Sequence, residues 1–139
     1  MLEVITNHLG AVQFEITARH HRIYSDQPVD NGGFDEGMTP PELMLASLGA
    51  CAAYYAVDYL KRSKLAPAEG IRVRTTAEKV QGPPRLDDIH IELECSRALE
   101  ERHQKGMLDA VRKCLIHNTL LHTPNIRVDL VVPAVRQAA

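Results

Sequence analysis

Tryptophan is absent from this chain of 139 residues, and tyrosine and phenylalanine bring the aromatic share to only 4%. A buried core must therefore be built from aliphatic side chains and alanine. Cysteine is also scarce. Cys51, Cys95 and Cys114 are too few and too unevenly spaced for the disulfide framework of a small secreted protein. Seven histidines are present, yet no CxxC, HxxxH or HExxH pattern occurs. His117 and His122 are five apart, a poor spacing for one helical face, so no metal site is expected. No run of basic residues appears and the net charge is −2, which excludes nucleic acid as an expected partner. The opening MLEVITNHLG lacks a cationic stretch followed by an apolar core, so no secretory signal is expected. The longest uncharged run covers fifteen residues, 43–57, short of the roughly 17–25 that cross a bilayer, so a buried helix rather than a membrane span is expected. Cytoplasmic location is the resulting default.

What is present has the organisation of one domain over residues 1–139. A chain of this length buries roughly 68–70% of its unfolded surface and folds without covalent staples. Val12, Phe14 and Ile16 alternate with Gln13, Glu15 and Thr17, which predicts a half-buried strand within an N-terminal meander over 1–26. A glycine-rich acidic loop, DNGGFDEG, follows. The spacing predicts a helix over 40–62. IRVRTTAEKV and DIHIELEC, separated by QGPPR, predict a hairpin over 71–95, with Ile71, Val73, Thr75 and Ala77 facing inward with Ile89, Ile91, Leu93 and Cys95. A second helix is expected over 99–118, weakened by Gly106 at a cost of about 1 kcal/mol relative to alanine. A last strand is expected over 126–132. The class is α+β.

The two expected helices differ. The second is amphipathic, with Met107, Ala110, Val111, Cys114 and Leu115 on one stripe. The first has almost no polar face between residues 43 and 57, and a helix apolar all round must be covered on all sides. One sheet and one partner helix leave part of it bare. Ala46, Gly49, Ala50, Ala53 and Ala56 would permit close approach of another helix, so a homodimer burying this helix is expected.

Cys51 and Cys114 each fall on one of these helices. A thiolate stabilised by a nearby cation is a nucleophile, and a second cysteine can resolve an oxidised first one. The alternative is that both act as small buried hydrophobes. Cys95 shares a strand face with Ile89, Ile91 and Leu93, which gives it a structural reading. Thr39-Pro40-Pro41-Glu42 fits a capped helix start, with Glu42 reaching back to the Thr39 N–H. That accounts for Glu42 without catalysis. Arg19, His20, His21 and Arg22 form a short basic cluster that fits a solvated turn.

PPELMLASLGAC, together with KCLIHNTL 63 residues after Cys51, resembles the OsmC/Ohr family of osmotically inducible and organic hydroperoxide resistance proteins. The ARHHR segment, the GG-containing loop and the order of elements extend the resemblance over the whole chain. It implies an intertwined homodimer with two long central helices packed against curved antiparallel sheets. It further implies a thiol-dependent peroxidase for organic hydroperoxides in oxidative-stress defence, with no cofactor and an external dithiol, small or protein-borne, as reductant. By the same resemblance Cys51 is the peroxidatic cysteine, Cys114 the resolving one, and Arg19 the residue that stabilises the thiolate.

The sequence departs from the peroxidase pattern at one place. Peroxidase members carry a glutamate ten residues before the reactive cysteine, where this chain has Pro41. Glu42 lies nine before Cys51, about 100° further round the helix. The PPEL and CLIHNTL forms are closer to the OsmC-like branch. An alternative reading is thus a non-enzymatic member that binds an apolar small molecule or senses oxidants without efficient turnover.

Overall fold

The computed structural model describes residues 1–65 and 70–133. Three strands, β1 (Ile5–Gly10), β2 (Gln13–Ala18) and β3 (His21–Ser25), form an antiparallel meander in the order β1-β2-β3. A single 3-10 turn at Val29–Asn31 interrupts the loop that leads to helix α1 (Pro40–Arg62). An antiparallel hairpin of β4 (Ile71–Val80) and β5 (Arg85–Cys95) follows, then helices α2 (Glu101–Val111) and α3 (Leu115–Leu121). Helices and antiparallel sheets are mixed, and the class is α+β as the sequence indicates.

Helix α1 starts where it does because its end is closed chemically. Thr39 is extended, with φ −68° and ψ 158°, and its backbone N–H donates to the Glu42 carboxylate at 2.7 Å. Pro40 and Pro41 occupy first-turn positions whose N–H groups have no helical partner in any case. Ala52, Ala56 and Leu60 of α1 are buried with Met107 and Val111 of α2, and Ile71, Val73, Ile91 and Leu93 of the hairpin pack against them. By length and composition alone α1 also suits a membrane span. Its packing against β4, β5, α2 and α3 makes it the central helix of a layered domain instead.

The hairpin shows the alternation read from its sequence. Val73 pairs with Leu93 and Thr75 with Ile91 on the face toward α1, while Arg72 pairs with Glu94 and Arg74 with Glu92 on the other. Both outward pairs are ion pairs of 3.1 Å. Exposed pairs of this kind contribute at most about 1 kcal/mol each, so the hairpin is held by its apolar face. Gly49 lets β4 lie close to α1, since a Cβ there would stand 3.0 Å from Thr75 Oγ1.

Two expected elements differ. The helix expected over 99–118 is broken: α2 ends at Val111, and Cys114 takes an extended conformation, φ −56° and ψ 135°, before α3 begins. The break turns the Cys114 side chain into the interior, where it is 1% exposed, whereas Leu115 is left 61% exposed. The apolar stripe therefore does not run through to Leu115. The strand expected over 126–132 is not formed. Every residue of that segment is exposed and none is paired. Its alternation is genuine, but a strand needs a neighbouring edge to supply hydrogen bonds, and a single copy of the chain brings none to it.

Candidate functional site

Cys51 lies midway along α1, flanked by Leu48 and Ala52, which are 2% and 1% exposed. Cys51 itself is half-buried. Cys114 sits at the junction of α2 and α3, and the two cysteines are joined in a disulfide, with Cα atoms 6.1 Å apart and a sequence separation of 63. The Cα separation lies inside the range of about 4.4–6.8 Å that a disulfide bridges without moving the backbone. Cys95 is a free thiol on β5, opposite Ile71.

Arg19 is not brought to this pair within one chain. It occupies the turn between β2 and β3 with φ 56°, beside the His20 and His21 rings, which meet at a tilt of 42°, and it is exposed. Among the described residues it makes no hydrogen bond or ion pair. Its meander packs on itself, whereas α1 packs on the hairpin, α2 and α3.

Glu42 is engaged at the start of α1. Its carboxylate accepts hydrogen bonds from the Thr39 N–H at 2.7 Å and from Thr39 Oγ1 at 2.8 Å. These two donors hold its carboxyl below the usual range, against the opposing effect of desolvation and with a lesser contribution from the charge of Lys79. Glu42 also borders an open groove of about 450 Å³ between α1 and β4, with Ala46, Gly49, Ala50, Val73 and Thr75 among its walls. Thr75 Oγ1 is buried there without a hydrogen-bond partner.

Asp26 escaped the sequence reading. It is 1% exposed and gathers the loop before α1 around its carboxylate. It accepts from the N–H groups of Gln27 at 2.8 Å, Phe34 at 3.0 Å and Glu36 at 3.2 Å, and from the Gln13 side-chain amide at 3.4 Å. Burial alone would push the Asp26 carboxyl up. The backbone donors Gln27, Glu36 and Phe34 and the Gln13 amide outweigh it and hold the group below its ordinary value. The two glycines are fitted to this wrap: a Cβ on Gly33 would stand 2.7 Å from Asp26 Oδ1, and one on Gly37 2.6 Å from the Tyr24 carbonyl oxygen. The sequence signal was the Gly32-Gly33 pair after Asp30-Asn31, which marks a tight loop but not its hub.

Beside the disulfide, Tyr55 lies one helical turn beyond Cys51 and borders two open grooves. One, of about 500 Å³, runs between α1 and α2 past Tyr59 and Gly106. The other, of about 570 Å³, runs past Leu115, Asn118 and His122. Lys113 borders both. Among the described residues no group of three or more His, Cys, Asp or Glu side chains is placed to hold a metal ion. What the arrangement offers chemically is a cysteine pair at the edge of a buried layer.

Comparison with known proteins places the fold. An osmotic-stress-induced and detoxification response protein of Psychrobacter arcticus 273-4, so described, superposes with a TM-score of 0.78 at 21% identity, over 86% of this chain and 88% of that one. An OsmC-like protein of Mycoplasma pneumoniae gives 0.75 at 19% identity, over 88% and 89%. An organic hydroperoxide resistance protein OsmC of Legionella pneumophila gives 0.63 at 15% identity, over 88% and 90%. At these identities the likeness is one of fold. A search of curated proteins returns no significant match. The sequence profile of the family described as OsmC-like protein matches residues 33–129, which take in the latter part of the glycine loop, α1 with Cys51, the hairpin, and the junction with Cys114. The chain belongs to the OsmC-like protein family.

Proposed function

We propose that this protein reduces organic hydroperoxides through Cys51 and Cys114 and spends an external dithiol to do so. The observation that carries this reading is the Cys51–Cys114 disulfide itself, formed between α1 and the α2–α3 junction while Cys95 stays free. In the proposed cycle the Cys51 thiolate attacks the outer oxygen of the peroxide. The O–O bond breaks, the alkoxide takes a proton and leaves as an alcohol, and Cys51 becomes a sulfenic acid. The Cys114 thiolate then attacks Cys51 Sγ, and the hydroxyl leaves as water. Two electrons from a dithiol reopen the disulfide.

The reading includes a second copy of the chain. Tyr54 is 67% exposed on α1, and Ile126, Val128 and Leu130 are 81%, 91% and 87% exposed. Apolar surface on this scale marks an interaction face, and a homodimer covers it. The dimer also answers where Arg19 acts. Since its meander lies apart from α1 within one chain, Arg19 would reach the thiolate of the partner copy, where a guanidinium favours the charged form.

The deciding experiment is mass spectrometry of the reduced protein after one equivalent of cumene hydroperoxide. A Cys51–Cys114 disulfide with release of cumyl alcohol is expected, and Cys51→Ser abolishes both. Equal, slow peroxide loss from wild type and Cys51→Ser would sink the proposal.

One observation favours a second reading. Glu42 is committed to Thr39 and not to Arg19, so the cation is not fixed in place by that carboxylate. A member that binds an apolar molecule in the α1–β4 groove, or registers oxidants without turnover, fits this arrangement. Native mass spectrometry of the purified protein separates the two, because a retained small molecule together with an unreactive Cys51 belongs to the second.

A further inference from the structure

The two sulfurs of the disulfide are not equally accessible. Cys114 is 1% exposed, and Val111, three residues before it, and Met107, one turn further back, are each only 6% exposed. Cys51 is half-buried. The groove of about 570 Å³ passes between Tyr55, one turn beyond Cys51, and Leu115, next to Cys114. Neither cysteine lines that groove, so the difference between the two sulfurs is one of burial: Cys51 keeps part of its surface open, whereas Cys114 is enclosed among core side chains.

Thiol–disulfide exchange requires a thiolate to approach one sulfur along the S–S axis, from the side opposite the sulfur that leaves, and access decides which sulfur is hit. A thiolate aimed at Cys114 Sγ has to enter through the side chains that bury that residue. One aimed at Cys51 Sγ does not. The structure assigns the two sulfurs fixed and different parts in reopening the bond: an external thiol attacks Cys51, and Cys114 is the leaving group. This rests on the reading of the pair as a redox couple and adds a direction to it. A new S–S bond forms between the external sulfur and Cys51 Sγ as the Cys51–Cys114 bond breaks. The electron pair goes to Cys114 Sγ, which leaves as a thiolate and takes up a proton. A second thiol, or the second arm of a dithiol, then attacks the external sulfur, expels Cys51 as a thiolate and departs as a disulfide. Oxidation by peroxide and reduction by thiol therefore share Cys51 as their one point of contact with the outside, and Cys114 meets only Cys51.

Glutathione is a suitable probe, because a monothiol leaves a mixed disulfide that can be located. The full-length protein, oxidised at Cys51–Cys114, is exposed briefly to glutathione and quenched in acid. It is then alkylated with N-ethylmaleimide under denaturing conditions and mapped by peptide mass spectrometry. At the earliest times at least about tenfold more glutathione is expected on Cys51 than on Cys114, with maleimide on Cys114 of the same molecules. Equal labelling, preference for Cys114, or a disulfide that opens only in denaturant would overturn the assignment. Hydroperoxide is not used, so the outcomes separate cleanly. Opening at Cys51 in a protein that consumes no peroxide defeats the proposed activity and leaves this assignment standing. Opening at Cys114 in an active peroxidase does the reverse.

Discussion

Gly106 of α2 lies directly against Tyr59 of α1: a Cβ at position 106 would stand 2.7 Å from Tyr59 Cζ, and the Tyr59 hydroxyl shares a 3.0 Å hydrogen bond with His103 Nδ1. A glycine inside a helix costs about 1 kcal/mol relative to alanine, and here that cost permits the close approach of α1 and α2. Gly106→Ala should therefore lower stability despite its better helix propensity, by about 1–3 kcal/mol, the usual range for an overpacked contact. Chemical denaturation checks the value. Tyr59→Leu in the same chain should return part of the loss, because the ring that clashes is gone.

Asp26 and Glu42 make stability fall in acid. Both carboxyls sit below their ordinary values in the folded chain, so the unfolded chain holds their protons more tightly. The stabilisation is complete above the unfolded values of roughly 4 and is lost as pH drops through that region to below the folded values. Urea midpoints measured from neutrality down to pH about 3 should show this decline. Asp26→Asn should flatten it and lower the midpoint at neutral pH, since an amide presents one acceptor where the N–H groups of Gln27, Phe34 and Glu36 converge.

Cys114→Ser tests the division of labour in the proposed cycle. One equivalent of cumene hydroperoxide should still be consumed, leaving a sulfenic acid on Cys51 that dimedone captures. Sustained turnover with a dithiol should fall steeply, because the Cys51–Cys114 disulfide cannot form. Full turnover in this variant would remove Cys114 from the cycle.

Ala50 is exposed on α1 in the single chain, so a glutamate there is compatible with folding of one copy. If two copies cover this face, wild type scatters light as a species of twice the chain mass and Ala50→Glu as a monomer with retained far-UV circular dichroism. A monomeric wild type at micromolar concentration counts against the dimer, and with it against the role of Arg19.

Much of the fold was legible because its signals are local. Thr39, the two prolines and Glu42 announce the start of α1 within four residues, and the alternation in β4 and β5 fixes which side of the hairpin faces in. The interruption at Cys114 was not legible. Its apolar spacing continues that of Met107 and Val111, and spacing cannot register a change of ψ at one residue. The segment 126–132 has the alternation of a strand, but pairing is a property of two segments, and its edge is not supplied by one copy. Within the site, the cysteine pair was legible only through the family motifs. The separation of Arg19 from the pair depends on where the meander lies relative to α1, and the hub role of Asp26 on the path of the loop from Gln27 to Glu36; composition and periodicity encode neither. Gly106 was read as a flaw in a helix, because its reason, Tyr59, is 47 residues away in sequence.

If the Cys51–Cys114 pair cycles as proposed, the span of its bond gives the protein a thermal record of its redox history. The bond ties positions 63 residues apart and makes the hairpin and α2 part of one closed ring. A ring of that size removes freedom chiefly from the unfolded chain, on the order of 4 kcal/mol by loop-closure entropy. Oxidised and reduced protein should then melt at clearly different temperatures, and the fraction melting in each transition reads out how much of the population has last met an oxidant rather than a thiol.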